Sequence, residues 1–454
     1  MLEKIRKFLT TKYYMLLIFV LGVIVTVTGQ EFIGLISFIL LISIILLITE
    51  DTVATTAPFL IACIFMLRST DVASSFIPVL WSLIPFVISL IAHFILYKKR
   101  FCFGTSFLGI VAVAVAVTAG GLGSISAEEY FDLSNLYYVF GLGFGMVLFY
   151  IIAKACYTYD SKYNVKKTFM ASLYTAGLYC CFTILNYYGH RIDEYLSTFK
   201  MPEELLTDPF RNVLAAFFVV LMPLPFYFAK KNNFHVIPAT LMFVCCLMTG
   251  SRCGLLFGTL QYVIGMMVLM VFNKKTRMIN FGLLSVIAVF ALTHSENLAY
   301  FYSERVGEGF IAAGETRFEL ILAAFEDFKF NPIFGKGLGN LGNNALYNPQ
   351  AFEMYWYHNM IAQIVGSLGC VGVIAYMYQF FGRISIILRG MDEYKVILGL
   401  SYLGMLMVSM VDPGEFAPVP YEVLTVLIFV VLENHYGESI FTKNLEQNSN
   451  ALKD

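Results

Sequence analysis

The sequence predicts an all-α polytopic membrane protein, and its composition, its apolar runs and its charge distribution predict it together. Hydrophobic residues make up 59% of the 454 residues, and charged residues make up only 13%. Soluble chains average about 45–50% apolar and about 25% charged residues. The net charge of −1 also lacks the basic footprint of a nucleic-acid-binding protein. These values exclude a secreted disulfide-rich domain and a cytosolic nucleotide-fold enzyme.

Apolar runs close to the 20 residues that cross a bilayer as a helix recur along the whole chain. We count fourteen candidate spans and therefore expect about 12–14 transmembrane helices. Their approximate bounds are 13–29, 32–49, 54–68, 75–97, 102–119, 136–155, 168–187, 213–229, 235–250, 253–272, 279–293, 358–381, 395–411 and 420–432. The first run lacks a small-residue cleavage site, so we interpret it as an anchor rather than a signal peptide.

The basic residues predict the orientation of these spans. With the N-terminus in the cytoplasm, 21 of the 30 Lys and Arg residues fall on the cytoplasmic side, as the positive-inside rule requires. Acidic residues distribute the other way, because 21 of the 31 fall on the external side. We therefore expect both termini in the cytoplasm.

The long connections all fall on the external side in this topology. We divide the chain into N-terminal helices over 1–212 with an external loop near 186–212, helices over 213–293, a long external loop over 294–357, helices over 358–432 and a cytoplasmic tail over 433–454. The long external loop predicts that the protein works at the outer surface. No cytoplasmic loop is large enough to bind a nucleotide.

The long external loop contains a predicted amphipathic helix over 314–328, where apolar residues recur at three- and four-residue spacing. Thr316 and Glu319 form a capping-box pattern, which places Arg317 in the first turn. An arginine beside the free N–H groups of a helix N-terminus suits a phosphate. The alternative is a helix lying in the membrane interface, with Arg317 paired to a nearby acid.

A glycine-rich segment follows this helix, and Gly337, Gly339 and Gly342 formally match G-x-G-x-x-G. No βαβ unit surrounds the match, so we do not interpret it as a dinucleotide fingerprint. We expect a sharp turn that lets the backbone approach a ligand or another helix.

His358 lies where the chain re-enters the membrane, between Tyr357 and Asn359. A histidine in a polar pocket there can act as a general base or as a hydrogen-bond donor to a reacting oxygen. The alternative is a capping or interfacial residue, since Tyr and Trp at this depth are expected anchors.

Arg252 closes the sequence Thr-Gly-Ser-Arg at 249–252, a tight external turn between two apolar spans. An arginine so near hydrocarbon indicates a functional site unless it snorkels to the headgroups, and both interpretations stay open.

Other charged residues are expected to be solvated. Asp412 and Glu415 lie in an external loop, and Arg383 falls on the cytoplasmic side. His93 and Lys154 lie near cytoplasmic helix ends, where snorkelling explains them. Span centres therefore carry almost no charge, which argues against a transporter.

No metal or cofactor is expected. The nine cysteines show no C-x-x-C spacing and have no histidine at zinc-ligand distance, so we interpret them as packing residues.

The motifs follow one another in a fixed order. Thr-Gly-Ser-Arg at 249–252 comes first. It is followed by Glu-Thr-Arg-Phe at 315–318 and by Asn-Pro-Ile-Phe-Gly-Lys-Gly-Leu-Gly at 331–339. His-Asn at 358–359 and Gly-Ser-Leu-Gly at 366–369 come last. This order resembles the O-antigen ligase and O-antigen polymerase superfamily of bacterial envelope glycan enzymes. The resemblance covers roughly residues 240 to 380.

The resemblance implies a class C-like glycosyltransferase architecture in the bacterial plasma (inner) membrane. The enzyme would transfer a glycan from undecaprenyl diphosphate to an acceptor hydroxyl at the external face, with inversion and without a metal. Arg252 and Arg317 would grip the donor diphosphate, and His358 would orient or activate the acceptor hydroxyl or assist the leaving group. The further substrate-binding candidates are Arg211, Arg191, Lys336, Arg305, Asn359 and Tyr357.

Three functions stay open at this point. A repeat-unit polymerase is favoured over a ligase that hands the finished glycan to lipid A core or to a protein. The rival of another class is a lipid-linked glycan flippase. The expected partners are the lipid-linked oligosaccharide, membrane lipid, a chain-length regulator and a separate flippase, and no nucleic acid is expected.

Overall fold

The structure is a computed structural model that describes residues 2–67, 77–123, 139–157, 165–189, 208–293, 295, 317–338, 357–412 and 414–434. Within these ranges the chain is almost wholly helical and forms no β-strand. The all-α polytopic architecture predicted from composition is therefore confirmed.

The N-terminal half contributes nine α-helices within the described ranges. They are α1 (Leu2–Leu9), α2 (Lys12–Thr28), α3 (Glu31–Ile48), α4 (Thr56–Leu67), α5 (Leu83–Leu96), α6 (Phe107–Gly123), α7 (Met146–Cys156), α8 (Val165–Gly189) and α9 (Asp208–Leu221). Their ends follow ordinary capping chemistry. The Thr11 hydroxyl accepts from the Tyr14 N–H at the start of α2, and Gly29 ends α2 in the left-handed conformation with φ of 65°.

The C-terminal half contributes eight more in the described ranges. They are α10 (Leu224–Ala229), α11 (Val236–Met248), α12 (Thr259–Phe272), α13 (Arg277–Thr293), α14 (317–330), α15 (Met360–Leu388), α16 (Glu393–Ser409) and α17 (423–434). Single π-turns over Gly141–Gly145, Gly254–Gly258 and Pro418–Glu422 lead into α7, α12 and α17.

In the part of the chain that the structure describes, each of the fourteen predicted spans contains helix, but the number of helices long enough to cross a membrane is smaller. Six helices of the described chain are long and apolar enough to cross a membrane, or seven if the bent pair α1 and α2 forms one span. The difference arises because many apolar runs form helices of 10–17 residues, and sequence hydropathy does not reveal where such a helix ends.

The centre of the bundle is formed by α8 and α9, whose apolar residues are buried on nearly all sides. Tyr179, Cys180 and Ile184 of α8 have no exposed surface, and neither do Leu214 and Phe218 of α9. α8 packs against α2, α4, α9 and α11, so the N-terminal helices and the later helices share one hydrophobic core.

A helix break in α15 receives the segment that follows α14. Gly369 interrupts α15 with φ of 59° and ψ of −154°, a conformation that is essentially restricted to glycine. The docking loop, residues 331–338, lies against this break. The Lys336 and Gly337 N–H groups donate to the carbonyls of residues 366 and 367, both at 2.9 Å.

The exchange of backbone hydrogen bonds also runs in the other direction. The Cys370 N–H donates to the Pro332 carbonyl at 2.8 Å, and the Val371 N–H donates to the Ile333 carbonyl at 3.1 Å. A side chain at Gly335 would collide with the backbone at Ser367. The prediction that the glycines of the G-x-G-x-x-G match permit close backbone approach to another helix is confirmed for Gly337, which has φ of 90° and donates to the Ser367 carbonyl. Gly339 and Gly342 lie outside the described residues.

The expectation that Glu415 is solvated charge was wrong, because its side chain is buried inside the bundle. Arg383 of α15 is 1% exposed, and its guanidinium donates to Glu415 at 2.9 Å and to Glu422 at 2.6 Å. Lys154 likewise pairs with Glu433 at 2.9 Å inside the bundle. Buried charges persist where they are paired and hydrogen-bonded. The pair of Arg383 and Glu415 joins residues that the predicted topology assigned to opposite membrane faces.

Candidate functional site

The turn that carries Arg252 is held by hydroxyl groups at the start of α12. The Thr249 hydroxyl donates to the Cys246 carbonyl at 2.7 Å and accepts from the Ser251 N–H at 3.2 Å. The Ser251 hydroxyl donates to Asn212 of α9 at 3.0 Å. This bond places Arg252 beside Arg211, the residue that precedes Asn212.

Arg211, Arg252 and Arg317 form an arginine cluster. Burial lowers the pKa of the Arg252 guanidinium, and the positive charges of Arg317 and Arg211 lower it further. Like charges disfavour one another's ionisation only when they lie near each other. The structure therefore brings together three arginines that are far apart in the sequence, and it creates a site of concentrated positive charge at this end of α12.

Arg317 reaches this position because α14 packs against the N-terminal end of α15. Leu320 and Ala324 of α14 are buried against Tyr357 and Ala362. Gly366 of α15 allows the close approach, because a Cβ there would lie 3.1 Å from Ala324. Small residues thus bring the two backbones together.

The apolar side chains of α14 are not all buried against the rest of the protein. Three of its large apolar side chains, Phe318, Leu322 and Phe325, are each about half exposed or more, at 62%, 48% and 50%. The side of α14 that packs inward carries the small residues instead. We interpret the exposed aromatic side as the surface that faces lipid, as in interfacial helices.

Asp327 ties α14 to both neighbouring segments. Its carboxylate accepts a short hydrogen bond from the Tyr357 hydroxyl and forms an ion pair with Lys336 of the docking loop. Asp327 is only 5% exposed, so burial strengthens both contacts. Tyr357 and Lys336, both expected to bind substrate, are thus engaged by a protein carboxylate, and their substrate contacts stay a prediction.

His358 is held in an unusual backbone conformation at the start of α15. Its φ of 49° lies in the left-handed region that non-glycine residues rarely adopt. Such conformations cluster at functional sites. The Nδ1 atom of His358 lies 3.8 Å from the Asp412 carboxylate, in a partly exposed setting.

Asn359 fixes the segment that presents this carboxylate. Its side-chain oxygen accepts from the Ala362 N–H at 3.0 Å and caps α15, and its side-chain N–H₂ donates to the Met410 carbonyl at 2.9 Å. Asn359 therefore links His358 to the 410–412 segment, while a direct contact with substrate stays a prediction.

The His358–Asp412 pair and the arginine cluster both lie near Cys253. Burial raises the pKa of the Cys253 thiol to about 12, Asp412 raises it as well, and Arg317 lowers it. Asp412 and Arg317 therefore both influence Cys253, the residue next to Arg252. Arg211, Arg252, Arg317, Asp412 and His358 thus occupy one region, although the sequence spreads them over two hundred positions.

Sequence reasoning missed Asp412 as the partner of His358 and treated it as solvated charge. The only available signal was that its loop was expected on the same external side as the loop of His358. Arg191 and Arg305 lie outside the described residues. No group of three or more His, Cys, Asp or Glu residues within the described chain has the arrangement to hold a metal ion.

The comparisons with known proteins agree with the resemblance in the motifs. Residues 237–377 match the family model for O-antigen ligase, and this segment contains Arg252, Arg317 and His358. The search of curated proteins finds no match. The match to that family supports a membrane glycan-transfer function of the glycosyltransferase type. The match over residues 237–377 thus supports the resemblance of this multi-pass membrane protein to the O-antigen ligase and polymerase superfamily.

Proposed function

We propose that the protein transfers a glycan from undecaprenyl diphosphate to an acceptor hydroxyl at the external face of the bacterial plasma membrane, as an O-antigen or capsule-type repeat-unit polymerase. The observation that carries the proposal is the arginine cluster beside the His358–Asp412 pair. One site then offers positive charge for an anionic leaving group and a base for a hydroxyl nucleophile.

The arginine cluster suits a diphosphate because the diphosphate gains negative charge as it leaves. Burial lowers the pKa of Arg252, and repulsion by the positive charges of Arg317 and Arg211 lowers it further. A diphosphate relieves this repulsion, and it does so most when its charge is largest. Preorganised positive charge of this kind stabilises a transition state more than a ground state.

The His358–Asp412 pair suits the other half of the reaction. In the proposed step the acceptor oxygen attacks the anomeric carbon while the bond from that carbon to the diphosphate oxygen breaks. The acceptor proton passes to His358, and the bonding electrons leave with the diphosphate. Asp412 orients the imidazole and stabilises the imidazolium, and the 3.8 Å separation is of the kind that shortens when substrate binds. The displacement inverts the anomeric carbon and uses no metal.

The topology of the proposal follows the charge asymmetry of the sequence. The arginine cluster lies at the external membrane surface, and both termini lie in the cytoplasm. The proposed partners are the lipid-linked oligosaccharide, a flippase that delivers it and a chain-length regulator.

The test uses purified, reconstituted protein and an undecaprenyl-diphosphate oligosaccharide. We expect laddered glycan products and lipid diphosphate release, and we expect both to vanish in Arg317→Ala and His358→Ala. Lys329→Ala is the matched control, because Lys329 lies on the same helix with a side chain 69% exposed. Release only upon addition of a separate acceptor would establish a ligase instead.

A flippase is the second candidate, and the buried charges of α15 favour it. Ionisable residues inside a membrane often mark a transport pathway. Arg383 and both of its carboxylate partners are at most 6% exposed, however, so they line no open path. Passage of the lipid between leaflets without turnover would refute the enzyme proposal and support the flippase.

A further inference from the structure

We propose that a lysine-lined cleft at the other end of α12 binds the phosphate group of an anionic membrane lipid. The cleft has a volume of about 570 Å³. Lys230 and Lys231 line one wall, and the opposite wall includes Phe272, Lys274 and Lys275. We call this feature the lysine cleft.

The lysine cleft is distant from the arginine cluster. Arg252 precedes the helical segment Gly254–Phe272, and the lysine cleft follows it. Nineteen helical residues extend about 28 Å at 1.5 Å per residue, which is close to the thickness of the hydrocarbon core. The two sites therefore lie at opposite membrane faces, and this inference is independent of the proposed function.

The walls of the lysine cleft are held together by hydrogen bonds. The Asn273 side chain donates to the Lys230 carbonyl at 3.2 Å and thereby joins the turn after α10 to the turn after α12. The Asn273 N–H donates to the Leu269 carbonyl at 2.7 Å, and the Asn280 side chain donates to Thr276 at 3.2 Å. The cleft is thus formed before any ligand arrives.

The charge of the lysine cleft is largely uncompensated. Lys230 forms an ion pair with Glu393. Lys231, Lys274 and Lys275 are exposed, and none of them forms an ion pair with a carboxylate among the residues that the structure describes. Three ammonium groups around a small volume attract a group with more than one negative charge.

The surroundings favour a lipid phosphate over a soluble one. Val271 is 66% exposed three residues before Lys274, and Met278 and Ile279 are 79% and 67% exposed three and four residues after Lys275. These apolar side chains continue from the cleft along α12 and α13, where acyl chains can lie. Basic clefts between helices at the cytoplasmic side bind anionic headgroups in this way.

The test measures lipid retention by the full-length protein in neutral detergent with native mass spectrometry. Phosphatidylglycerol and phosphatidylcholine are titrated against wild type and against the triple variant Lys231→Gln, Lys274→Gln, Lys275→Gln. We expect wild type to prefer phosphatidylglycerol by about tenfold or more and the triple variant to lose that preference. The triple Lys→Arg variant keeps the charge, and we expect it to keep the preference.

The control removes equal charge elsewhere on the same predicted face, with Lys4→Gln, Lys98→Gln and Arg100→Gln. The inference is overturned if this control loses the preference as fully, because the effect would then be general surface charge. Retention of the preference by the Lys→Gln variant overturns it as well. Displacement of phosphatidylglycerol by millimolar inorganic phosphate would identify a soluble phosphate ligand and refute the lipid.

Discussion

Substitution of Gly369 by alanine tests whether the helix break in α15 holds the functional site together. The φ of 59° and ψ of −154° at this position are essentially open to glycine alone, and forcing another residue there costs about 1–3 kcal/mol. An added Cβ would lie 2.7 Å from the Gly335 nitrogen and from the Ile333 carbonyl oxygen. The docking loop must therefore move away from α15.

The movement of the docking loop adds a second contribution. Four backbone hydrogen bonds of 2.8–3.1 Å join residues 332–337 to residues 366–371, and each contributes about 0.5–1.5 kcal/mol net. Loss of one or two of them, together with the backbone strain, predicts a decrease in stability of about 1.5–6 kcal/mol. Because Lys336 and Asp327 join the docking loop to α14, Arg317 should shift as well.

The assay combines thermal unfolding in detergent with glycan transfer in liposomes. We expect Gly369→Ala to unfold at a lower temperature and to lose transfer activity. Gly382→Ala is the control on the same helix, because its Cβ meets no atom within 4 Å and its φ is not positive. Wild-type unfolding and activity in Gly369→Ala would refute this reasoning.

Three further predictions concern the site itself. Asp412→Asn should reduce kcat by about 10²-fold with little change in KM, because the imidazolium of His358 loses its carboxylate partner while the protein stays folded. An unchanged pH–rate profile would contradict the proposed role of Asp412 as the partner of His358. Arg252→Met should raise the unfolding temperature of the donor-free protein, because burial and the neighbouring arginines lower the pKa of Arg252 and so disfavour its charge. The same variant should lose donor binding. A lower unfolding temperature of the donor-free variant would contradict the proposed repulsion. Asp327→Asn should weaken donor affinity more than Lys329→Ala does, because Asp327, unlike Lys329, pairs with Lys336 of the docking loop. Titration with the lipid-linked oligosaccharide measures both affinities.

The sequence predicted the helices well because membrane spans are a local property. Within the described residues, each of the fourteen apolar runs contains helix, since a backbone in hydrocarbon must satisfy its own hydrogen bonds. The Thr-Gly-Ser-Arg turn and the helix of Arg317 were visible for the same reason, because their signals lie within a few residues.

The long-range pairs could not be predicted in this way. Arg383 and Glu415 are 32 positions apart, and each looked like an ordinary residue near a membrane surface. Asp412 was one of several external acids, and nothing local distinguished it from the others. Gly369 stands in a segment that reads as continuous helix, so its break is explained only by the docking loop that fits against it.

The buried pairs of Arg383 have a consequence for how the chain enters the membrane during synthesis. Arg383 is made before Glu415 and Glu422, which follow 32 and 39 residues later. At about 5–20 residues per second, this interval lasts roughly two to eight seconds. An unpartnered arginine costs about 2.5–3.5 kcal/mol at the centre of an inserted helix and less toward a helix end, and Arg383 lies five residues before the end of α15 at Leu388. Ribosomal pausing after residue 388 should therefore leave α15 poorly inserted, whereas completion of α17 should draw it into place.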